Sequence, residues 1–230
     1  MVPSKPAFPD IKDDPISLLK DGVAALGLVL APTALEQFRV YLRELLAWNA
    51  RVNLTGLKSP QDIVIKGFLD SLAILPFLAE APSLADLGSG AGFPGLVVKL
   101  ARPEVALTLV ESRGKKAAFL HYMVALWQLP DVEVVQARLT PTLAREWGPR
   151  FAAVTSRATF ALQEFLKLAA PLLQPGGKAL ALKGPQLPSA EFTAARERLA
   201  ALDLDDLELR NYRIPPDDEL RRVAVASKRR

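Results

Sequence analysis

The chain contains no cysteine and a single histidine, His121. The absence of cysteine excludes disulfides, thiolate zinc sites, iron–sulfur clusters and cysteine nucleophiles. A single histidine also excludes a cage of several imidazoles, so the sequence predicts no bound metal. His121 stands among apolar residues of a predicted helix and is not expected to be catalytic.

Long apolar runs are missing as well. No stretch approaches the roughly 18 residues that are needed to cross a bilayer. The opening residues MVPSKPAFPD lack the apolar core of a signal peptide. We therefore expect a soluble, cytoplasmic protein with no membrane partner. We also expect the protein to be a monomer.

The composition is that of a globular protein, with 50% hydrophobic and 23% charged residues in a chain of 230. This length suits one α/β domain with an appendage. The formal net charge of +4 is a mild basic bias, which alone is weak evidence for an anionic partner. Five basic side chains in residues 221–230 predict a solvated tail or additional phosphate contacts.

The chain divides into three predicted segments. Residues 1–14 contain three prolines, which indicate a flexible tail. Residues 15–80 show helical patterns only and form a predicted N-terminal helical cap, whereas residues 81–230 mix strand and helix patterns. Within the cap, Thr33 and Glu36 have the spacing of a capping box and predict the start of a helix.

Six β-rich runs follow the cap, and helical patterns separate most of them. The runs are residues 83–87, 105–110, 132–135, 151–155, 177–182 and 223–226. Strands that alternate with helices form a parallel sheet covered on both faces. The sequence therefore predicts an α/β fold with a doubly wound, mostly parallel sheet.

A glycine-rich segment, D-L-G-S-G-A-G-F-P-G, follows the first predicted strand and opens the next helix. Open α/β sheets bind their ligands at this position. Gly90, Gly92 and Gly95 fit the G-x-G-x-x-G pattern of dinucleotide-binding proteins. Asp86, with glycines at positions 88, 90 and 92, fits the D-x-G-x-G-x-G pattern of S-adenosylmethionine-dependent methyltransferases.

Electrostatics favours the second pattern. A pyrophosphate binds N–H groups at a helix N-terminus and would be repelled by Asp86. The sulfonium and ammonium groups of S-adenosylmethionine would be attracted by Asp86, directly or through water. Glu111 ends the second predicted strand and can accept both ribose hydroxyls of either cofactor. A nicotinamide cofactor and a ligand-free glycine turn stay open as alternatives.

Seven sequence blocks carry a resemblance to a known family. They are residues 48–55 (W-N-A-R-V-N-L-T), 68–72 (F-L-D-S-L), 86–95, 111–116, 136–138, 155–158 and 181–184. In this order they resemble the bacterial small-subunit (16S) rRNA guanine-N7 methyltransferases, the RsmG (GidB) family. The resemblance spans residues 16–227 and implies a Rossmann-like class I methyltransferase that uses S-adenosylmethionine. Its implied partner is small-subunit rRNA or the ribosomal subunit.

The resemblance and the loop argument together assign site residues. The expected cofactor-binding residues are Asp86, Gly88, Gly90, Gly92, Phe93, Glu111, Ser112, Leu139, Thr140 and Arg157. The expected substrate-binding residues are Asn53, Asp70, Arg138, Arg157 and Lys183. Gly67 and Arg222 stand where the family often has histidine, so the chain departs from the family pattern on the substrate side.

The implied chemistry requires no catalytic residue. Guanine N7 carries an in-plane lone pair, so its attack on a sulfonium methyl needs alignment rather than a general base. The sequence also lacks the N-P-P-aromatic motif of amino-group methyltransferases. Two alternatives stay open at this point: a nucleotide-dependent oxidoreductase, and a non-catalytic RNA-binding module on the same fold.

Overall fold

The computed structural model of the chain describes residues 14–184, 186–216 and 218–230. The predicted tail, residues 1–14, lies outside the described part except for Asp14. The Asp14 carboxylate accepts a hydrogen bond of 3.2 Å from the backbone N–H of Ile16 and caps the first helix.

The N-terminal segment is helical, as predicted. Its elements are α1 (Pro15–Ala25), α2 (Pro32–Val52), α3 (Pro60–Asp62), a π-helical turn (Ile63–Leu69), α4 (Asp70–Leu72) and α5 (Leu75–Leu78). The predicted capping box is wrong, because α2 begins at Pro32 with Ala31 as its N-cap and no side-chain cap. A proline at the first helical position already has the required φ and has no N–H to satisfy.

The remainder of the chain builds one seven-stranded sheet. Its strands are β1 (Ser83–Leu87), β2 (Ala106–Glu111), β3 (Val132–Gln136), β4 (Phe151–Arg157), β5 (Leu173–Lys183), β6 (Leu204–Ile214) and β7 (Glu219–Lys228). The covering helices are α6 (Gly95–Ala101), α7 (Gly114–Trp127), α8 (Pro141–Trp147), α9 (Leu162–Ala169) and α10 (Ser189–Arg196). The order β3-β2-β1-β4-β5-β7-β6, with β1 to β5 parallel, confirms the predicted α/β fold.

Strand β6 was not predicted from the sequence. It is an edge strand that pairs only with β7, and both β6 and β7 run antiparallel to their neighbours. The register shifts between Asp205 and Glu208. A bulge of this kind interrupts the alternation of apolar and polar residues by which a half-buried strand is recognised.

The helical cap and the sheet share a hydrophobic core. One cluster of buried side chains extends from Ile16 in α1 to Val223 in β7. At its centre, Tyr41 of α2 packs its ring against Phe68 and Phe93 with centroid distances of 5.1 and 5.8 Å. The predicted division at residue 80 is thus a change of secondary structure within a continuous core.

Candidate functional site

Two cavities lie at the carboxyl ends of the parallel strands. We call the first, of ≈490 Å³, the glycine-loop cavity; its lining includes Leu87, Gly88, Gly90, Val110, Glu111, Ser112, Arg113, Lys116, Ala137, Arg138, Leu139, Thr159, Phe160 and Glu164. We call the second, of ≈400 Å³, the cationic cavity; its lining includes Thr55, Gly56, Leu57, Lys66, Asp70, Arg157, Ala158, Leu182, Lys183, Gly184 and Arg221.

The glycine loop forms one wall of the first cavity. Gly90 has a φ of 56°, a left-handed conformation that glycine adopts without steric cost. A Cβ atom built on Gly90 would meet no atom closer than 3.8 Å, so this position faces open space. The backbone of the loop can therefore come into direct contact with a ligand in the cavity.

Glu111 holds the loop in place at the end of β2. Its Oε2 accepts a hydrogen bond of 2.9 Å from the Gly90 N–H, and its Oε1 accepts one of 2.8 Å from the Arg113 N–H. The residue is 5% exposed and lines the cavity. Each carboxylate oxygen retains a second lone pair, so Glu111 can accept further hydrogen bonds from a ligand.

Asp86 lies beneath the loop and is not among the residues that line either cavity. It is fully buried, and its Oδ2 accepts a hydrogen bond of 3.0 Å from the Gly95 N–H, while Oδ1 has no partner. Burial raises the pKa of Asp86 to about 7, although the hydrogen bond from the Gly95 N–H opposes this shift. A direct contact between Asp86 and a cofactor does not follow from this placement.

Gly92 and Phe93 also face the protein interior. A Cβ atom on Gly92 would collide with the Tyr41 hydroxyl, so α2 of the cap packs directly on the loop here. The Phe93 ring is buried, and the guanidinium of Arg157 stacks on it at 4.7 Å from the ring centroid. Gly92 and Phe93 thus shape the loop from below.

Arg157 and Asp70 meet at the wall of the cationic cavity. Arg157 Nη1 donates a hydrogen bond to the Lys66 carbonyl and lies 3.4 Å from Asp70 Oδ2. Asp70 Oδ1 accepts a hydrogen bond of 2.7 Å from the Tyr212 hydroxyl of β6. This cluster joins the cap to β4 and to the edge of the sheet.

Lys183 spans the region between the cationic cavity and α10. Its ammonium donates hydrogen bonds of 2.9 Å to the Phe160 carbonyl and to Glu191, so it fixes the segment after β4. On the other side of that segment, the Thr159 hydroxyl donates to the Gly88 carbonyl at 3.3 Å. Residues 157–160 therefore form the partition between the two cavities.

The structure divides the expected substrate residues between the two cavities. Asp70, Arg157 and Lys183 line the cationic cavity, whereas Arg138 lines the glycine-loop cavity. Asn53 lines neither; it is exposed and ends α2 in the left-handed conformation, with a φ of 54°. Its expected contact with a substrate has no support in this geometry.

The expected cofactor residues are divided too. Ser112 and Leu139 lie with Glu111 on the glycine-loop cavity, whereas Arg157 lies on the other one. Thr140 is the exposed N-cap of α8, where its hydroxyl accepts from the Leu143 N–H at 3.2 Å. The sequence itself indicates this capping role, because Thr140 directly precedes a proline, which is common at the first position of a helix.

Sequence reasoning missed several residues of the site. Lys116 lines the glycine-loop cavity and donates a hydrogen bond of 2.9 Å to the Leu54 carbonyl of the cap. Lys66 adds positive charge to the cationic cavity, as does Arg221, which is expected from the sequence only as one of five basic residues near the C-terminus. Lys116 stands in the G-K-K sequence of a matched block, but nothing local indicates that Arg221 reaches the cavity from β7.

Two further structural properties bear on function. Within the described residues, no helix has both the length and the apolar character that are needed to cross a membrane. The described residues also include no cluster of three or more histidine or acidic side chains with the geometry of a metal site.

Solved structures with a similar fold include a methyltransferase. A methyltransferase from Pyrococcus furiosus has a TM-score of 0.57 at 14% identity, over 85% of this chain and 98% of that one. The cofactor-bound protein Rv0187 from MTB has a TM-score of 0.59 at 19% identity, over 95% of this chain and 99% of that one. At these identities the similarity establishes the fold, a Rossmann-like α/β sheet.

Sequence comparison identifies the family. The profile of GidB, described as rRNA small subunit methyltransferase G, matches residues 34–215. Ribosomal RNA small subunit methyltransferase G of Myxococcus xanthus is 40% identical over 210 residues, which is 91% of this chain and 95% of that protein. The protein of the same name from Geobacter sp. is 34% identical over 90% of this chain and 95% of its own length. The chain therefore belongs to the GidB family of small-subunit rRNA methyltransferases.

Proposed function

We propose that this chain transfers the methyl group of S-adenosylmethionine to N7 of a guanine in small-subunit (16S) rRNA. The observation that carries this proposal is the pair of adjacent cavities. In the glycine-loop cavity, Glu111 and the main chain of the glycine loop can contact a nucleoside. In the cationic cavity, positively charged side chains can contact RNA. Arg157 and Ala158 line one cavity and the next two residues, Thr159 and Phe160, line the other.

The residues of the glycine-loop cavity suit S-adenosylmethionine. Glu111 has free lone pairs for two ribose hydroxyls. Gly90 leaves space where any other residue would project a side chain into the cavity. When bound, S-adenosylmethionine supplies an electrophilic methyl group on its sulfonium. Leu139 lines the cavity, is apolar and suits the adenine ring.

The loop geometry weighs against a nicotinamide dinucleotide. In the G-x-G-x-x-G pattern, the N–H groups at the helix N-terminus bind the pyrophosphate. Here the N–H of Gly95, the third glycine, is already bonded to Asp86 at 3.0 Å. Because the Asp86 carboxylate already accepts the N–H that would bind the pyrophosphate, the oxidoreductase alternative is not favoured.

The cationic cavity suits an RNA nucleotide. Lys66, Arg157, Lys183 and Arg221 line it, and cationic side chains neutralise the phosphates of RNA. A base that reacts must leave its stack and enter a pocket beside the cofactor. A module that only binds RNA would have no need for a second, glycine-walled cavity next to the RNA site, so the non-catalytic alternative is not favoured either.

The chain's own residues have only to align the reactants. The N7 lone pair is free at neutral pH, so no side chain has to remove a proton, and the preorganised loop and cations supply the catalysis. The single-turnover rate of methyl transfer is therefore expected to be independent of pH between about 6 and 9, where a histidine or activated lysine base would titrate.

Incubation of unmodified small-subunit rRNA, free and in the subunit, with the protein and S-adenosylmethionine tests the proposal. Mass spectrometry of the nucleosides is expected to show 7-methylguanosine. Borohydride and aniline are then expected to cleave the RNA once, giving one new primer-extension stop. A methyl group at N1 instead, with a rate that rises with pH and no cleavage, would overturn N7 chemistry and leave the family assignment intact.

A further inference from the structure

One carboxylate stands in the cationic cavity, that of Asp70. It is 6% exposed and is held by the Tyr212 hydroxyl at 2.7 Å on Oδ1 and by Arg157 Nη1 at 3.4 Å on Oδ2. It is the only acidic side chain among the described residues that line this cavity. A carboxylate at this place repels phosphate groups, so Asp70 does not serve to bind the phosphate backbone of RNA.

Neutralisation of the neighbouring cations does not explain Asp70. Lys66 forms an ion pair of 2.7 Å with Asp62, and Lys183 forms one of 2.9 Å with Glu191. Arg221 is bound by both carboxylate oxygens of Glu219. These three cations thus have acidic partners of their own outside the lining of the cavity.

Arg157 is also oriented without the help of Asp70. Its guanidinium stacks on Phe93 and donates to the carbonyl of Lys66. Its distance of 3.4 Å from Asp70 Oδ2 is longer than the usual 2.7–2.9 Å of a charge-assisted hydrogen bond. Asp70 Oδ2 is therefore only weakly engaged within the protein.

Tyr212 fixes Asp70 as an acceptor. Burial, together with the negative charge of Asp70, raises the pKa of the Tyr212 hydroxyl well above its ordinary value, so the hydroxyl stays a donor. The contact joins two residues 142 positions apart, one in α4 of the cap and the other in the edge strand β6. The carboxylate is thus held in one orientation with unused lone pairs.

We infer that Asp70 reads the Watson–Crick edge of the target guanine, accepting hydrogen bonds from its N1–H and its 2-amino group. This inference rests on the proposed function. Guanine is the only RNA base with two adjacent donors on that edge, and flipped bases are recognised there. N7 lies on the opposite edge of the purine, so a guanine held by Asp70 presents N7 away from the carboxylate.

The test compares guanosine with inosine at the methylated position of an RNA substrate, using the wild-type chain, Asp70→Asn and Tyr212→Phe. Inosine retains N7 and N1–H but lacks the 2-amino group. For the wild type, inosine is expected to lower kcat/KM for N7 methylation at least tenfold, because one acceptor loses its donor. For Asp70→Asn, kcat/KM on guanosine RNA is expected to fall at least tenfold relative to the wild type. The same variant is expected to have a kcat/KM on inosine RNA that is less than twofold below its own value on guanosine RNA.

Tyr212→Phe is the matched control, because it removes the bond to Asp70 and leaves the carboxylate. We expect it to keep at least a fivefold discrimination against inosine. Binding of S-adenosylhomocysteine shows whether each variant is folded. Equal methylation of guanosine and inosine by the wild type, or unchanged discrimination in a folded Asp70→Asn, would overturn the inference. Absence of 7-methylguanosine from the wild-type reaction on guanosine RNA would instead overturn the proposed function, and this inference with it.

Discussion

The hydroxyl of Tyr41 in α2 donates a hydrogen bond of 2.6 Å to the carbonyl of Ala91 in the glycine loop. Both groups are buried, and the Tyr41 ring lies within the aromatic cluster that also contains Phe68 and Phe93. The helical cap therefore supports the loop from the side opposite the cavity. Because the loop and the cap are joined in this way, the cap takes part in shaping the candidate cofactor site.

Tyr41→Phe tests this support. The substitution leaves a buried carbonyl without its donor, which is expected to lower the free energy of unfolding by about 1–3 kcal/mol and to weaken S-adenosylhomocysteine binding. Urea unfolding and calorimetry measure the two effects. Tyr122→Phe is the control, since it removes a hydrogen bond of 3.0 Å to Glu44 in a partly buried position. Equal effects of the two substitutions would contradict a special role for the contact with Ala91.

Glu111→Gln tests the proposed ribose contact. One acceptor oxygen becomes a donor, so the affinity for S-adenosylhomocysteine is expected to fall by about 1.5–3 kcal/mol, the cost of hydrogen bonds lost to a charged group. Glu164→Gln removes the same charge from an exposed residue that lines the cavity, and is expected to change the affinity little. An analogue without both ribose hydroxyls should bind the wild type and Glu111→Gln equally. If it still distinguishes them, Glu111 acts only by holding Gly90 and Arg113.

The buried carboxyl of Asp86 predicts a pH dependence of stability. Its pKa is about 7 in the folded protein, because burial disfavours the charged form, and 3.8 is the ordinary value. Between these two pH values the carboxyl of Asp86 is ionised in the unfolded chain and protonated in the folded chain. The free energy of unfolding therefore decreases as the pH rises through this range. The loss is at most about 1.4 kcal/mol per pH unit in that window.

Asp86→Asn removes this titration. Its unfolding free energy relative to the wild type is expected to increase from pH 5 to pH 7 and to level off above pH 7. Asp62→Asn is a control of opposite sign, because hydrogen bonds from Lys66 and Ser59 lower the pKa of Asp62. That carboxyl stabilises the fold above its unfolded pKa and loses the effect as the pH falls. Parallel curves for Asp86→Asn and the wild type would mean that Asp86 is already charged at pH 5.

The sequence predicted the parts of the site that are encoded locally. The glycine loop and Glu111 occupy a strand end and a turn, and both elements are recognisable from a few consecutive residues. The division into two cavities could not be predicted in this way, because it depends on the order of the strands. Arg138 follows β3 and Arg157 ends β4, and β2 and β1 lie between these strands in the sheet. The two arginines consequently line different cavities.

Long-range contacts account for most of what was missed. The contact of Tyr212 with Asp70 depends on β6, whose bulge hides the strand pattern. The role of Gly92 depends on Tyr41, which approaches from the cap. The capping box at Thr33 was wrong for a local reason, since the preceding proline took the first helical position. The contacts of Tyr212 and Tyr41 do not follow from the spacing of residues along the chain alone.

The C-terminal basic residues, for which the sequence predicts a solvated tail or additional phosphate contacts, lie largely within strand β7. Strand β7 runs antiparallel to β5, so Arg222 pairs with Lys183 beside the cationic cavity and Ser227 pairs with Lys178 at the other end. At that far end, Lys228 forms an ion pair of 3.1 Å with Asp203. The run of basic residues is thus divided between opposite ends of the sheet.

This division predicts different effects on RNA binding. Arg221→Gln is expected to weaken binding and to reduce the magnitude of the negative slope of log K against log salt by about 1, because one phosphate contact is lost. The double substitution Lys228→Gln and Arg229→Gln removes more charge but is expected to leave both quantities unchanged, since both residues lie at the end of β7 that is far from the cavity. Filter binding to small-subunit rRNA over a range of salt concentrations measures both variants. Equal slopes for them would mean that net charge, rather than the cationic cavity, governs RNA binding.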